Sequence, residues 1–309
     1  SAGDFVATLS YLEMLIWPML GAGFTVNMLQ RGAASLGRVN AILDEEPEIT
    51  NPEHPVTAME STTISIRDLH FTYGDSEEEA LHGVSLEIPE GSILGILGRT
   101  GSGKSTLLRL LPRLQNPPPG SVFVGGVDIL EYDLATLRSA FGAVPQDTFL
   151  FSASIRDNIA FAVDEPDEEF IRHVADVSTI SRDIRILPNG WETQVGERGI
   201  TLSGGQKQRV AISRALAKDP RILVFDDALS AVDTETEELI LNKLLTEREG
   251  RTSIIVSHRV STLATADRVA VLDNGRLAQY GTHDELLAEE GFYREVATLQ
   301  QLSKTKEHR

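Results

Sequence analysis

Residues 98–105 read GRTGSGKS and fit the spacing G-x-x-x-x-G-K-[ST]. Glycines at Gly98, Gly101 and Gly103 let the backbone through Arg99, Thr100 and Ser102 wrap an anion with its N–H groups inward, and a helix starting behind it adds its dipole. Lys104 supplies a point charge for the β- and γ-phosphates of a nucleotide, and Ser105, followed by Thr106, offers a hydroxyl to Mg²⁺. The setting matters more than the letters: the loop follows the apolar run SILGIL and precedes the helical run STLLRLL, as this chemistry requires.

A second group of residues suits the same chemistry. The run ILVF at 222–225 is continuous and apolar, as in a parallel strand buried on both faces, and it ends in Asp226 and Asp227. An aspartate after a strand is most often a helix cap. Beside a phosphate loop, Asp226 becomes the natural carboxylate for Mg²⁺, because open α/β sheets bind ligands at the carboxyl ends of their strands. His258 follows another such run, TSIIVS, and falls at the same edge.

The elements that must position these groups are legible from residue 61 onward, where β segments alternate with helical ones. That pattern implies an α/β fold with a mainly parallel sheet, an antiparallel β flank and a helical subdomain. Residues 44–55 are acidic and punctuated by prolines, which reads as a linker. Residues 5–29 are mostly apolar and long enough to span a bilayer, yet Glu13 within them suits a buried helix of a soluble protein; composition leaves both readings open. Arg31 and Arg38 follow, which would put the far end of a spanning segment in the cytoplasm. The chain starts at Ser1 without a signal-peptide pattern, so a piece of a longer protein is expected.

Composition narrows the classes. Across 309 residues, 46 acidic side chains face 28 basic ones, for a net charge of -18, which disfavours nucleic acid as a partner. The absence of cysteine removes disulfides, thiolate metal sites and cysteine nucleophiles, and suits a reducing compartment.

LSGGQ at 202–206, followed by KQRVAISRALAKDPRILVFDD, resembles the nucleotide-binding domain of an ATP-binding cassette (ABC) transporter, over roughly residues 61–301. The resemblance implies a P-loop NTPase core that binds ATP and Mg²⁺. Two such domains would pair head to tail, each offering Ser203, Gly204, Gly205 and Gln206 to ATP on the other's phosphate loop. Ser203 and Gln206 also form an S-x-x-Q capping pattern, so the helix behind them can present N–H groups to a γ-phosphate. By the same resemblance Tyr73 stacks on adenine, Gln146 reaches Mg²⁺ and the attacking water, His258 contacts the γ-phosphate and Asp233 communicates across the dimer. The stretches TQVGERG at 193–199 and SASIRDNIAF at 152–161 resemble exporter segments that meet the membrane helices. They favour reading 1–43 as the end of a transmembrane domain, 44–60 as linker, 61–301 as the nucleotide-binding domain and 302–309 as a tail.

Where strong hydrolysers of the family carry Glu, this chain carries Asp227. The resemblance is to the Asp-for-Glu subunit of a heterodimeric multidrug-type exporter, slow at its own site while its intact signature completes the site of its partner. A carboxylate drawn back by one methylene costs about 10²-fold where geometry governs rate. A homodimer with Asp227 as a slow base twice is the other possibility. The implied protein lies at the cytoplasmic face of the membrane, with a second half-transporter and its own transmembrane domain as partners. A regulatory ATP-binding subunit and a soluble ABC ATPase are the alternatives.

Overall fold

The computed structural model describes residues 1–74, 76–196, 201–246 and 250–307, and it divides into two compact units, Ser1–Thr50 and Asn51–Arg309.

In the first unit Ala2–Leu43 is a single helix. Its start is fixed by a reciprocal cap, in which Asp4 N–H donates to Ser1 Oγ and the Asp4 carboxylate accepts from the Ser1 amino group. None of its residues is buried, and its apolar window has a mean hydropathy of 1.4. By length and composition it is able to cross a membrane, rising roughly 60 Å at 1.5 Å per residue.

The second unit contains strands β1 (Ile64–Thr72), β2 (Glu79–Ile88), β3 (Ile93–Gly98), β4 (Val122–Val124), β5 (Val127–Asp128), β6 (Phe141–Val144), β7 (Ile222–Asp226), β8 (Thr252–Val256), β9 (Arg268–Asp273) and β10 (Arg276–Gly281). Six form one sheet in the order β10-β9-β3-β8-β7-β6, parallel from β9 to β6 with β10 antiparallel at the edge. The other four form an antiparallel sheet, β2-β1-β4-β5. This is the α/β P-loop architecture expected from the sequence. Every residue of β3 is buried, which explains why its run is apolar without alternation.

One core lies between the two sheets and includes Ile66, Leu86, Ile96, Leu107 and Val224. A second joins β7 to the helices Ile155–Ala160, Glu168–Val177 and Gly204–Ala217. A third packs Tyr293 and Ala297 of the C-terminal helix Phe292–Glu307 with Leu97, Val260 and Val271. That helix is continuous across residue 302, where the sequence suggested a tail.

Residues 51–60, expected as the second half of a linker, run along the domain. Val56 N–H donates to Glu131 O at 2.8 Å, and Asn51 bonds the Asp133 carboxylate and the Leu134 N–H. The acidic, proline-rich composition leaves this segment extended, and its backbone groups find partners at the start of helix Leu134–Ala140.

The helical subdomain is pinned by Asn158, which is fully buried. Its carboxamide oxygen accepts from Phe151 N–H and an Arg214 guanidinium N–H, and its amide donates to Phe151 O and Ser154 O. Replacing a carboxamide with four partners by a methyl strands several buried polar groups. Asn158→Ala is expected to lower unfolding free energy by about 2–3 kcal/mol, read from a urea transition.

Candidate functional site

Strands β3, β8, β7 and β6 are neighbours in the sheet, and their carboxyl ends carry in turn the phosphate loop, His258, Asp226 with Asp227, and Gln146. Sequence-distant groups are thus gathered at one edge, the edge at which α/β sheets hold ligands.

The phosphate loop closes on its own lysine. Lys104 Nζ donates to Gly98 O and Arg99 O at 2.8 Å each and to Ser102 Oγ at 3.3 Å. Burial pulls the Lys104 pKa below its ordinary value, and the carboxylates of Asp226 and Asp227 pull the other way. Gly103 is required at its position: it has φ +95°, and a Cβ there would lie 2.6 Å from Leu81 Cδ2 and 2.9 Å from Ala80 O. Residues 101–106 line a cleft of about 360 Å³ with Glu78, Glu79, Ala80, His82, Asn274 and Gly275. Tyr73 stands beside it, its hydroxyl donating to Thr106 Oγ1 at 3.1 Å and its ring edge-on to Phe71. Arg99 and Thr100 are exposed.

Ser105 Oγ donates to Asp226 Oδ2 at 3.2 Å, joining the loop to the end of β7. Burial raises the Asp226 pKa, while the Ser105 hydrogen bond opposes the rise. Hydroxyl plus carboxylate is a hard-oxygen donor pair that fits Mg²⁺, which takes one or two carboxylates and completes its shell with water and phosphate. Among the described residues no group of three or more His, Asp or Glu side chains is arranged for a metal ion.

Asp227 and His258 line a separate cavity of about 180 Å³, with Ser230, Glu237 and Arg259 among its walls. A water occupies roughly 30 Å³ of liquid, so several fit. Asp227 has φ +50°, a left-handed conformation that aspartate tolerates better than longer side chains. Its N–H donates to Val256 O at 3.0 Å, which ties the ends of β7 and β8 together.

The remaining sequence-derived residues lie outside these two cavities. Gln146 is exposed just beyond β6. The S-x-x-Q cap forms: Gln206 N–H donates to Ser203 Oγ at 3.2 Å, Ser203 N–H donates to Gln206 Oε1 at 2.9 Å, and the Gln206 amide also reaches Asp183. Gly204 and Gly205 sit against the loop at 230–232; a Cβ on Gly205 would lie 2.8 Å from Ala231 O. The Asp233 carboxylate caps the helix Thr234–Thr246 by accepting from Thr236 N–H at 2.9 Å, and that bond lowers its pKa. Of TQVGERG, residues 197–199 lie outside the described residues.

Three polar side chains that the sequence did not single out brace these loops. Glu237, buried, accepts from Arg259 and Thr262, so the helix after Asp233 is bonded to the residue after His258. Gln208, also buried, donates to Ser230 Oγ at 3.1 Å and accepts from Ala231 N–H at 3.0 Å, holding the signature helix to the loop after Asp227. Gln300 contacts the backbone on both sides of Arg259. The one sequence signal was Glu237 at four residues from Asp233, a single helical turn.

Residues 81–230 match the family model described as ABC transporter. The chain is 42% identical over 305 residues to a probable multidrug resistance ABC transporter ATP-binding/permease protein of Bacillus subtilis, covering 99% of this chain and 52% of that protein. It is 39% identical over 297 residues to an ATM1-type heavy metal exporter of Novosphingobium aromaticivorans, covering 96% and 49%. Against the solved structure of a bacterial Atm1-family ABC exporter with ATP bound, the TM-score is 0.86 at 39% identity, over 97% of this chain and 53% of that one. The chain therefore spans about half the length of the curated relatives it matches, and that half holds an ABC transporter nucleotide-binding domain of the Atm1 and multidrug exporter type.

Proposed function

We propose that this chain is the ATP-binding and hydrolysing part of an ABC exporter, in which head-to-tail closure of two such domains over ATP drives a substrate across the membrane. The observation that carries this reading is the gathering of the phosphate loop, Asp226 with Asp227, and His258 on three adjacent strand ends, with Asp227 and His258 lining one cavity large enough for water.

In this reading residues 98–106 and Tyr73 hold ATP, with Lys104 on the β- and γ-phosphates and the tyrosine ring against adenine. Ser105, Asp226 and Gln146 would hold Mg²⁺, which neutralises charge on the phosphates. Asp227 orients and deprotonates the attacking water, and His258 steadies the γ-phosphate. Ser203–Gln206 serve the partner's ATP, and Asp233 relays between the two sites. The helix Ala2–Leu43 is the end of a transmembrane domain, the ATPase lies on the cytoplasmic side, and residues 152–161 serve as the contact with the membrane helices of the transporter.

The partner in this reading is a different subunit carrying Glu at the position of Asp227, so that this chain's own site turns over slowly. Asp227 equally favours a second reading, a regulatory ATP-binding subunit with almost no turnover. Asp227→Glu separates them: hydrolysis at this chain's phosphate loop, followed as trapped ADP, is expected to rise about tenfold or more. An unchanged rate would sink the water-positioning role. Because residue 227 sits at positive φ, the same change is expected to cost on the order of 1 kcal/mol of stability, so activity and thermal midpoint should move in opposite directions. Lys104→Ala is expected to abolish ATP retention at this site, measured by equilibrium binding of a fluorescent ATP analogue.

A further inference from the structure

The C-terminal helix Phe292–Glu307 lies beneath both the phosphate loop and the loop that carries His258. Tyr293 and Ala297, one turn apart, are buried against Leu97, one residue before the end of β3, and against Val260, two residues past His258. Tyr293 is fully buried, its pKa is pushed up to about 12 by that burial, and its hydroxyl is bonded to His283 Nδ1 at 2.7 Å, so the helix is firmly seated. Phe292, next to this anchor, places its ring 4.8 Å from the guanidinium of Arg99 in the phosphate loop.

Gln300 continues the same face, seven residues beyond Tyr293. Its amide donates to His258 O at 2.6 Å, and its carbonyl accepts from Val260 N–H at 2.9 Å. One side chain therefore clamps the loop after β8 on both sides of Arg259, whose own guanidinium is held by Glu237. His258 itself is exposed, with its backbone held from below and its ring left to face the Asp227 cavity.

We propose that Gln300 is a positioning residue for ATP hydrolysis: by gripping the backbone at 258 and 260 it sets where the His258 imidazole stands relative to Asp227. The proposal rests on His258 acting at the γ-phosphate, as argued above. A carboxamide is the side chain that suits this place, because one backbone carbonyl and one backbone N–H must be met by one planar group.

The test is ATP hydrolysis at this chain's own phosphate loop, followed as trapped ADP, in the membrane-embedded dimer carrying Gln300→Ala, Gln300→Glu, His258→Ala or Thr298→Ala. Removing the clamp is expected to lower kcat about tenfold through misplacement of His258, with KM for ATP within twofold because the phosphate loop is untouched. Gln300→Glu keeps the acceptor for Val260 N–H but sets a carboxylate against His258 O, so it is expected to fall short of full rescue. Thr298→Ala, on the exposed face of the helix, is expected to behave as wild type. If His258→Ala keeps full activity, the reading of His258 fails. If His258→Ala is inactive while Gln300→Ala keeps wild-type kcat, the clamp proposal alone is overturned. A fall in thermal midpoint with kcat unchanged at a temperature where the variant stays folded would likewise overturn it, leaving Gln300 a packing residue.

Discussion

A lysine ammonium sealed away from bulk water needs oxygen around it, and the phosphate loop is built to provide that. Lys104 is 9% exposed and donates its hydrogen bonds to two carbonyls and one hydroxyl of the loop in which it sits. The ammonium thus ties Gly98, Arg99 and Ser102 of the loop to one another. Everything else at the site is placed relative to this loop: β3 is buried on both faces to hold it, and Asp226 is tied to it through Ser105.

Loops at the ends of parallel strands have no ladder to hold them beyond the last strand residue. Here they are fastened to one another and to helices by polar side chains that make two bonds each. Glu237 spans the helix after Asp233 and the loop after β8, Gln208 spans the signature helix and the loop after β7, and Gln300 spans the C-terminal helix and the loop after β8. Two of the three are nearly or wholly removed from solvent, where an unmade bond is expensive and a made one is rigid. A shift in one loop is therefore felt by the others.

The sequence was informative wherever the physics is local. Strand, glycine loop, Lys-Ser and helix follow one another within about a dozen residues, and the S-x-x-Q cap needs only one helical turn, so both could be read directly. The braces could not. Their partners lie 22 residues away for Gln208 and Arg259 and about 40 for Gln300, and a glutamine on a helix carries no mark of what its far end will meet. The positive φ of Asp227 was hidden too, since aspartate adopts left-handed backbone only at particular sites and its type does not announce which. Residues 51–60 read as linker because they lack periodicity, although the domain supplies partners for their backbone.

The order of strands also sets how stiff each part of the site is. The phosphate loop rises from β3, which has a strand on either side, whereas Gln146 follows β6, the last strand of the sheet, with β7 as its single neighbour in that sheet. Three strand spacings, about 14 Å, separate the two. This edge of the sheet is thus clamped at one end and compliant at the other. Its soft end lies next to the segment at 149–161 that Arg214 fastens to the helical subdomain. By strand order alone, displacing Gln146 disturbs one strand pairing and displacing the phosphate loop disturbs two, so the edge resembles a cantilever free at β6.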